Sequence, residues 1–321
     1  MDCSLTVAFT PIDVETVDHT VFGEAVERGK GMKGRRLGDI TIDRILEMEA
    51  PYQPLSAFFA QATPEAIAPH RHWLEPRALD PATGKIILPV QSYLVRTGHH
   101  TILIDTCVGC HKNDTGEPDW TGRRDESWLD RLAAAGVGLE QVDFVFCTHL
   151  HADHCGWNTR LVDGRWVPTF PKAKYILAKA EVAAKEAAGG AVYRESVLPI
   201  LEAGQALLVD QGYALDDQVC LTPLPGHTAG HVGVGLASRG QQAVMIGDIM
   251  HSPIQLAHPD WSPVFDFDVA LSTQTRQAFL DSHCETDTLV LTAHFPSPSI
   301  GHVVAHAKRA FDFRYLGAEM E

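Results

Sequence analysis

No apolar run in this 321-residue chain approaches the roughly 20 residues needed to cross a bilayer, so no membrane partner is expected. The opening stretch MDCSLTVAFTPIDVETVDHT lacks a basic segment followed by an apolar one. No secretory signal is therefore read there, and a cytoplasmic location is expected. There is no internal repeat and no Gly/Ser linker, which argues for one large domain. Positive charge is scarce: 26 Lys and Arg stand against 41 Asp and Glu, a formal net charge of −15. Such a surface repels phosphate backbones, so nucleic acid is not an expected partner. Cysteine is too sparse and too scattered for a disulfide framework, with seven residues from Cys3 to Cys284.

One cysteine pair still has to be explained. CVGCH, residues 107–111, has the spacing of a covalent haem attachment site. Bacterial haem attachment of this kind takes place outside the cytosol, and nothing at the N-terminus argues for export. No haem is expected. A zinc site built on Cys107 and Cys110 would want a second ligand pair nearby, and only His111 is close.

The first 35 residues read as an irregular arm, with a basic stretch at ERGKGMKGRR, and residues 36–321 as a single domain. Within that domain GDITIDRILEME reads as a strand and LSAFFAQA as a short helix. IILPVQSYLVRT and TILIDT form a strand pair, followed by a polar surface excursion over 107–124. DESWLDRLAAAG is a helix ending at Gly136, VDFVFCTH a buried strand, and LVDGRWVPTF a hairpin around Asp-Gly. KYILA is a strand and KAEVAAKEAA a helix. QVCLTPLP, HVGVGLAS, QAVMIGD and DTLVLTAH are strands, with the helix DVALSTQTRQAFLDSHC between the last two. Frequent strand pairs with intervening helices imply an α/β fold of mixed sheets with helices outside.

The chain has 17 histidines, so a lone one means little. Four potential ligands cluster in HLHADH: His149, His151, Asp153 and His154. In an extended segment residues two apart point the same way, so His149 and His151 can grip one ion. A turn into a helix would swing Asp153 and His154 toward a second. Gly226 in PGHTAGH lets the backbone turn tightly and present His227. His231, at the start of the next strand, suits a hydrogen-bonding role. Asp248 ends an apolar strand, where an unpaired carboxylate is expensive, and it could bridge two cations. His294 ends another. Each group follows a buried strand, and the seven together make a two-metal centre. Zinc is favoured; manganese, iron and cobalt suit the same donors.

In this order HLHADH, GHTAGH, GD and AH resemble the metallo-β-lactamase-fold hydrolases, over roughly residues 86–300. The resemblance implies a four-layer αβ/βα sandwich, with two mixed sheets and the metals at one rim. It implies that His149, His151 and His227 hold one ion, that Asp153, His154 and His294 hold the other, and that Asp248 bridges. LIDT resembles an early strand of the family, with Asp105 supporting the site. The implied chemistry is attack by a metal-bridging hydroxide on a small-molecule lactone, ester or organophosphate-like bond, with Asp153 orienting the nucleophile or passing on its proton.

GDIMHSPIQLAHPDW resembles the branch containing quorum-quenching lactonases and methyl-parathion-type hydrolases. Many homoserine lactonases have a tyrosine three residues after the bridging Asp, where this chain has His251. His251 could contact substrate as a catalytic group or support Asp248. Trp157, Phe295 and Trp261 are candidates for the apolar walls of a pocket, against the commoner fate of core packing. Hydrolytic dehalogenation of an aromatic substrate is the rival enzymatic reading, and a non-catalytic metal- or ligand-binding member of the fold is the rival outside catalysis. A homodimer embraced by the N-terminal arm is compatible with the sequence.

Overall fold

The computed structural model describes residues 34–317. The expected N-terminal arm lies outside the described residues except for its last two positions. Nine strands come first: β1 (Arg35–Leu37), β2 (Ile40–Pro54), β3 (Lys85–Arg96), β4 (Thr101–Ile104), β5 (Phe144–Phe146), β6 (Thr159–Val162), β7 (Arg165–Pro168), β8 (Lys174–Ala178) and β9 (Ala206–Val209). Six follow: β10 (Val219–Pro223), β11 (Val232–Ser238), β12 (Gln241–Met245), β13 (Leu289–Leu291), β14 (Ile300–Ala305) and β15 (Phe311–Tyr315).

The first sheet has the order β1-β2-β3-β4-β5-β8-β9, and the second runs from β10 to β15 in sequence order. β4, β5, β8 and β9 are mutually parallel, as are β12 and β13; the remaining ladders are antiparallel. β6 and β7 form a separate hairpin whose turn, Asp163-Gly164, has positive φ at both positions, as the Asp-Gly pair requires.

Alternating side chains explain how the layers stack. One face of the first sheet offers Ile42, Tyr93, Val95, Ile102 and Ile104 to Leu221, Val234, Leu236, Met245 and Leu291 of the second, in one buried cluster. Outside the first sheet lies a second core that includes Trp128 and Leu132 of the helix Ser127–Ala134. Outside the second sheet Phe279 and Leu280 of the helix Val269–His283 pack against Val290 and Phe313. The result is helix, sheet, sheet, helix, the four-layer arrangement expected.

Two elements differ from expectation. The helix at LSAFFAQA covers only Leu55–Phe58. Phe59 instead turns extended, bridges Pro263 and becomes fully buried near Trp261. The strand at VDFVFCTH stops after Phe146, because the backbone N–H of Thr148 is taken by the Asp105 carboxylate instead of a neighbouring strand.

Strand direction sets the site. β4 and β5 are parallel, and β10, β12 and β13 share one direction. The segments leaving their C-terminal ends carry Asp105, His149–His154, His227, Asp248 and His294, and these segments meet at one rim.

Candidate metal centre and cavity

The structure brings all seven expected ligands together. Donor atoms of His149, His151, His227 and Asp248 lie within 4.8 Å of one another, as do those of Asp153, His154 and His294. Asp248 stands between the groups. Its Oδ1 is 3.2 Å from His154 Nε2 and 3.2 Å from His294 Nε2. Its Oδ2 is 3.4 Å from His227 Nε2 and 3.7 Å from His149 Nε2. Each carboxylate oxygen thus faces a separate set of imidazoles.

Local structure fixes the rings. His151 is extended and precedes a short helix, Ala152–Cys155, so the chain turns between His151 and Asp153, as a two-ion split requires. His154 Nδ1 donates to Asp105 Oδ2 at 2.8 Å, His227 Nδ1 to Asp266 Oδ1 at 2.8 Å, and His294 Nδ1 to the Pro89 carbonyl at 2.8 Å. Each bond occupies Nδ1 and turns Nε2 inward. His231 has both nitrogens engaged: Nδ1 donates to Leu224 O and Nε2 accepts from the Asp248 N–H at 2.9 Å. It supports Asp248 and offers no ligand atom, which is the hydrogen-bonding role expected of it.

Burial pushes His149 and His151 well below the ordinary imidazole range, reinforced by the rings of His154 and His227 respectively. They are neutral, the form that binds metal. His231 is depressed to about 3 by burial and by His227. Burial opposes charge on His154, but the carboxylates of Asp248, Asp153 and Asp105 outweigh it and raise the ring. Asp248 remains ionised well below the carboxylate range, since the surrounding imidazoles overcome its burial.

His149 Nε2, Asp248 Oδ1 and His251 Nδ1 are buried with no hydrogen-bond partner. Buried polar atoms are rarely left so. Lone pairs converging on a shared ionised carboxylate are what a divalent cation would satisfy, so this donor set fits one. His251 Nε2 is 3.1 Å from Asp248 Oδ2, and the ring stacks on His294. Asp105 receives Thr148 N, Thr148 Oγ1 and His154 Nδ1. Asp105→Asn should leave His154 misoriented and lower affinity for the cation it faces about 10- to 100-fold, measured by competition with a chromophoric chelator.

His151, Asp153, His227, Asp248, His251 and His294 floor a cavity of about 200 Å³. Its walls include Tyr52, Phe58, Trp120 and Phe265. Tyr52 and Trp120 are stacked at 5.1 Å, and Phe58 packs edge-on against Phe265 and His251. The expected walls are elsewhere. Trp157 is enclosed, stacked on Trp128 at 5.7 Å with its Nε1 donating to Glu47. Phe295 packs on Phe313 in the outer core, and Trp261 lies against His258. Neighbourhood to the motifs in sequence misplaced them; bulky side chains beside the ligands serve as their backing.

The expected surface excursion holds for most of 113–124, which is exposed, but not for 107–112, which is mostly buried. Cys107, Val108, Cys110, Lys112 and Trp120 are buried. Glu47 receives the N–H groups of Val108 and Gly109 as well as Trp157, and burial lifts its carboxyl to about 7. Lys112 donates to Thr159 Oγ1 at 2.8 Å and lies over the Trp166 ring, and burial lowers it to about 7. Thus anchored, the segment holds Trp120 against Tyr52. Cys107 Sγ sits 3.2 Å from Ser92 Oγ, and Cys110 donates to the Asp125 carbonyl. Neither sulfur belongs to the grouped donor atoms. Cys107→Ser should leave metal content unchanged and shift stability by about 1 kcal/mol or less, read from elemental analysis and denaturant unfolding.

Sequence reasoning missed three charged residues behind the site. Asp266 orients His227, and the fully buried Arg276 ties Asp266 to Ile249 O and Ser272 Oγ. Glu181 accepts from Leu150 N, Thr228 Oγ1 and Gly230 N, and so fastens the helix Lys179–Ala188 to two ligand loops.

Fold and site define an α/β sandwich with a rim-mounted imidazole–carboxylate cluster whose donors fit a metal ion. The profile of the metallo-β-lactamase superfamily matches residues 87–294, and the chain belongs to that superfamily. Among solved structures it is similar to the hydrolase AbOPH in the β-lactamase superfamily, at 24% identity over 91% of this chain and 99% of that one, with a TM-score of 0.73. It is similar to AidC, described as a dizinc quorum-quenching lactonase, at 23% identity over 89% and 98%, with a TM-score of 0.72. A probable metal-dependent hydrolase from Staphylococcus aureus matches at 18% identity over 88% and 99%, with a TM-score of 0.68. At such identities these likenesses show the shared fold alone. No curated protein sequence matches the chain. Among the described residues no helix is long and apolar enough to cross a membrane.

Proposed function

We propose that this protein is a metal-dependent hydrolase of a small-molecule lactone, ester or organophosphate-like bond, with residues 36–321 as one catalytic domain. The observation that carries the reading is Asp248, whose two oxygens face two separate imidazole groups at the floor of an aromatic-walled cavity. His149, His151 and His227 would hold one divalent cation and Asp153, His154 and His294 the other, with Asp248 shared; zinc suits this N/O set best. Bound there, such ions supply Lewis acidity and ready deprotonation of water near neutral pH.

The chain's own residues do the rest. Asp105, Asp266 and Pro89 O lock three rings so that their Nε2 atoms stay aimed inward. Asp153 lines the cavity 3.5 Å from His154 Nε2, and its carboxyl is held low because His154 and His294 outweigh its burial. From there it can orient the attacking water and take its proton. His251 steadies Asp248 through Nε2 and borders the substrate. Tyr52, Trp120, Phe58 and Phe265 exclude water from an apolar substrate body.

The test is hydrolysis of an acyl-homoserine lactone, an aryl ester, a phosphotriester and a chlorinated aromatic nitrile, each with metal-loaded and chelator-stripped protein. Turnover of one of the first three, lost on stripping, supports the reading. The stacked Tyr52–Trp120 pair favours a second reading, hydrolytic dehalogenation of an aromatic substrate, which turnover of the nitrile alone would select. Metal uptake with no turnover on any of the four would favour a binding role and overturn both.

A further inference from the structure

The cavity has one feature that hydrolysis itself does not use. Lys185 is the single Lys or Arg among the described residues lining it. It lies on the helix Lys179–Ala188, whose attachment is unusually direct. Glu181, buried on that helix, receives Leu150 N at 3.0 Å, Thr228 Oγ1 at 2.7 Å and Gly230 N at 2.9 Å. Gly230 permits the approach: a Cβ there would sit 2.3 Å from the Glu181 backbone nitrogen. Lys185 is four residues after Glu181, so the two share a face of the helix. The contacts that seat Glu181 on the ligand loops therefore aim Lys185 at the cavity. Its charge acts on His151, another wall residue.

The ammonium makes no hydrogen bond or ion pair among the described residues. The other charged wall residue that is not an expected ligand is Glu117, and it is engaged, taking Gln53 Nε2 at 3.3 Å and the Tyr52 hydroxyl. A chain of net charge −15 keeps anions away from most of its surface. An unpaired lysine held at an apolar cavity in such a chain would be a local anion site.

We infer that Lys185 determines specificity by pairing with a carboxylate on the substrate. The substrate class is then an acyl or aryl lactone or ester with an apolar body and a free carboxylate. This rests on the hydrolase reading for the reaction but not for the binding preference, and the two can be tested apart.

Zinc-loaded protein is titrated calorimetrically with monocarboxylates and dicarboxylates of equal length, hexanoate against adipate up to decanoate against sebacate. At one or more lengths the dicarboxylate should bind about tenfold tighter than its partner, as expected of a partly buried charge-assisted pair. Lys185→Ala should erase that difference, and Lys185→Arg should keep most of it. Equal affinity at every length, or an equal loss for both ligands in Lys185→Ala, overturns the inference. Hydrolysis of 4-nitrophenyl hexanoate and mono-4-nitrophenyl adipate is measured separately. If the wild type cleaves neither, the hydrolase reading fails for esters while the calorimetry still decides the role of Lys185.

Discussion

Asp248→Asn should lose at least one of two bound ions and lower hydrolysis by about a thousandfold or more, a scale set by metal-supplied charge stabilisation of several kcal/mol. The amide keeps the shape of the side chain and removes the one charge that both imidazole groups face. In the wild type, Oδ1 lies 3.2 Å from His154 and His294, and Oδ2 lies 3.4 Å from His227. An amide would present a donor to one group, where only a lone pair serves. The Asp248 backbone N–H already donates to His231 and should stay in place. Metal content by elemental analysis, run beside a circular dichroism spectrum, separates loss of the centre from loss of the fold. Two ions and the full rate in the variant would remove Asp248 from its bridging position.

Gly156→Ala should cost about 3 kcal/mol or more in folding stability, through overpacking against backbone that cannot yield. A Cβ at this position would lie 1.8 Å from the Val108 carbonyl oxygen. The two strands of chain are tied there by Gly156 N to Cys107 O at 2.7 Å and Trp157 N to Thr106 O at 2.8 Å. The residue also follows His154 by two positions, so relief of the clash would displace a metal donor. Gly98→Ala is the control, since nothing lies within 4 Å of a Cβ built there. Denaturant unfolding should show a large fall in midpoint for the first variant and little change for the second. Comparable midpoints would mean that the 106–109 segment is free to move, contrary to its Glu47 and Ser92 anchors.

The ligands were legible because each comes directly after a run of apolar β-forming residues, and strand ends are where α/β sheets expose polar groups. Parallel β4–β5 and β12–β13 pairing could be anticipated only through the family resemblance; once in place, it puts His149, Asp248 and His294 at one rim. His231 could be separated from His227 by its position at the start of a strand, and its paired nitrogens agree.

What stayed hidden depended on distance along the chain. Asp266 and Glu181 look like ordinary surface acids in sequence; the histidine that Asp266 orients lies 39 residues away, and the partners of Glu181 lie 31 or more away. The FDFD run, an acid between aromatics just before a helix, was the available signal for Asp266. Cavity walls come from Tyr52 and Phe58, Trp120, and Phe265, three separate segments that only the fold unites. Trp157 and Phe295 were nearer to the motifs but are buried in the core. β14 and β15 escaped notice because a glycine and a histidine follow the first residue of IGHVVA, and FDFRY carries its alternation over only five residues.

The most direct measurement is reconstitution of chelator-stripped protein with zinc, counting bound ions by elemental analysis while following hydrolysis of whichever panel substrate turns over. Two ions per chain should bind, with the rate rising as they do and vanishing again on stripping. Undiminished hydrolysis by metal-free protein, or saturation at fewer than two ions, would contradict the two-cation centre built on Asp248.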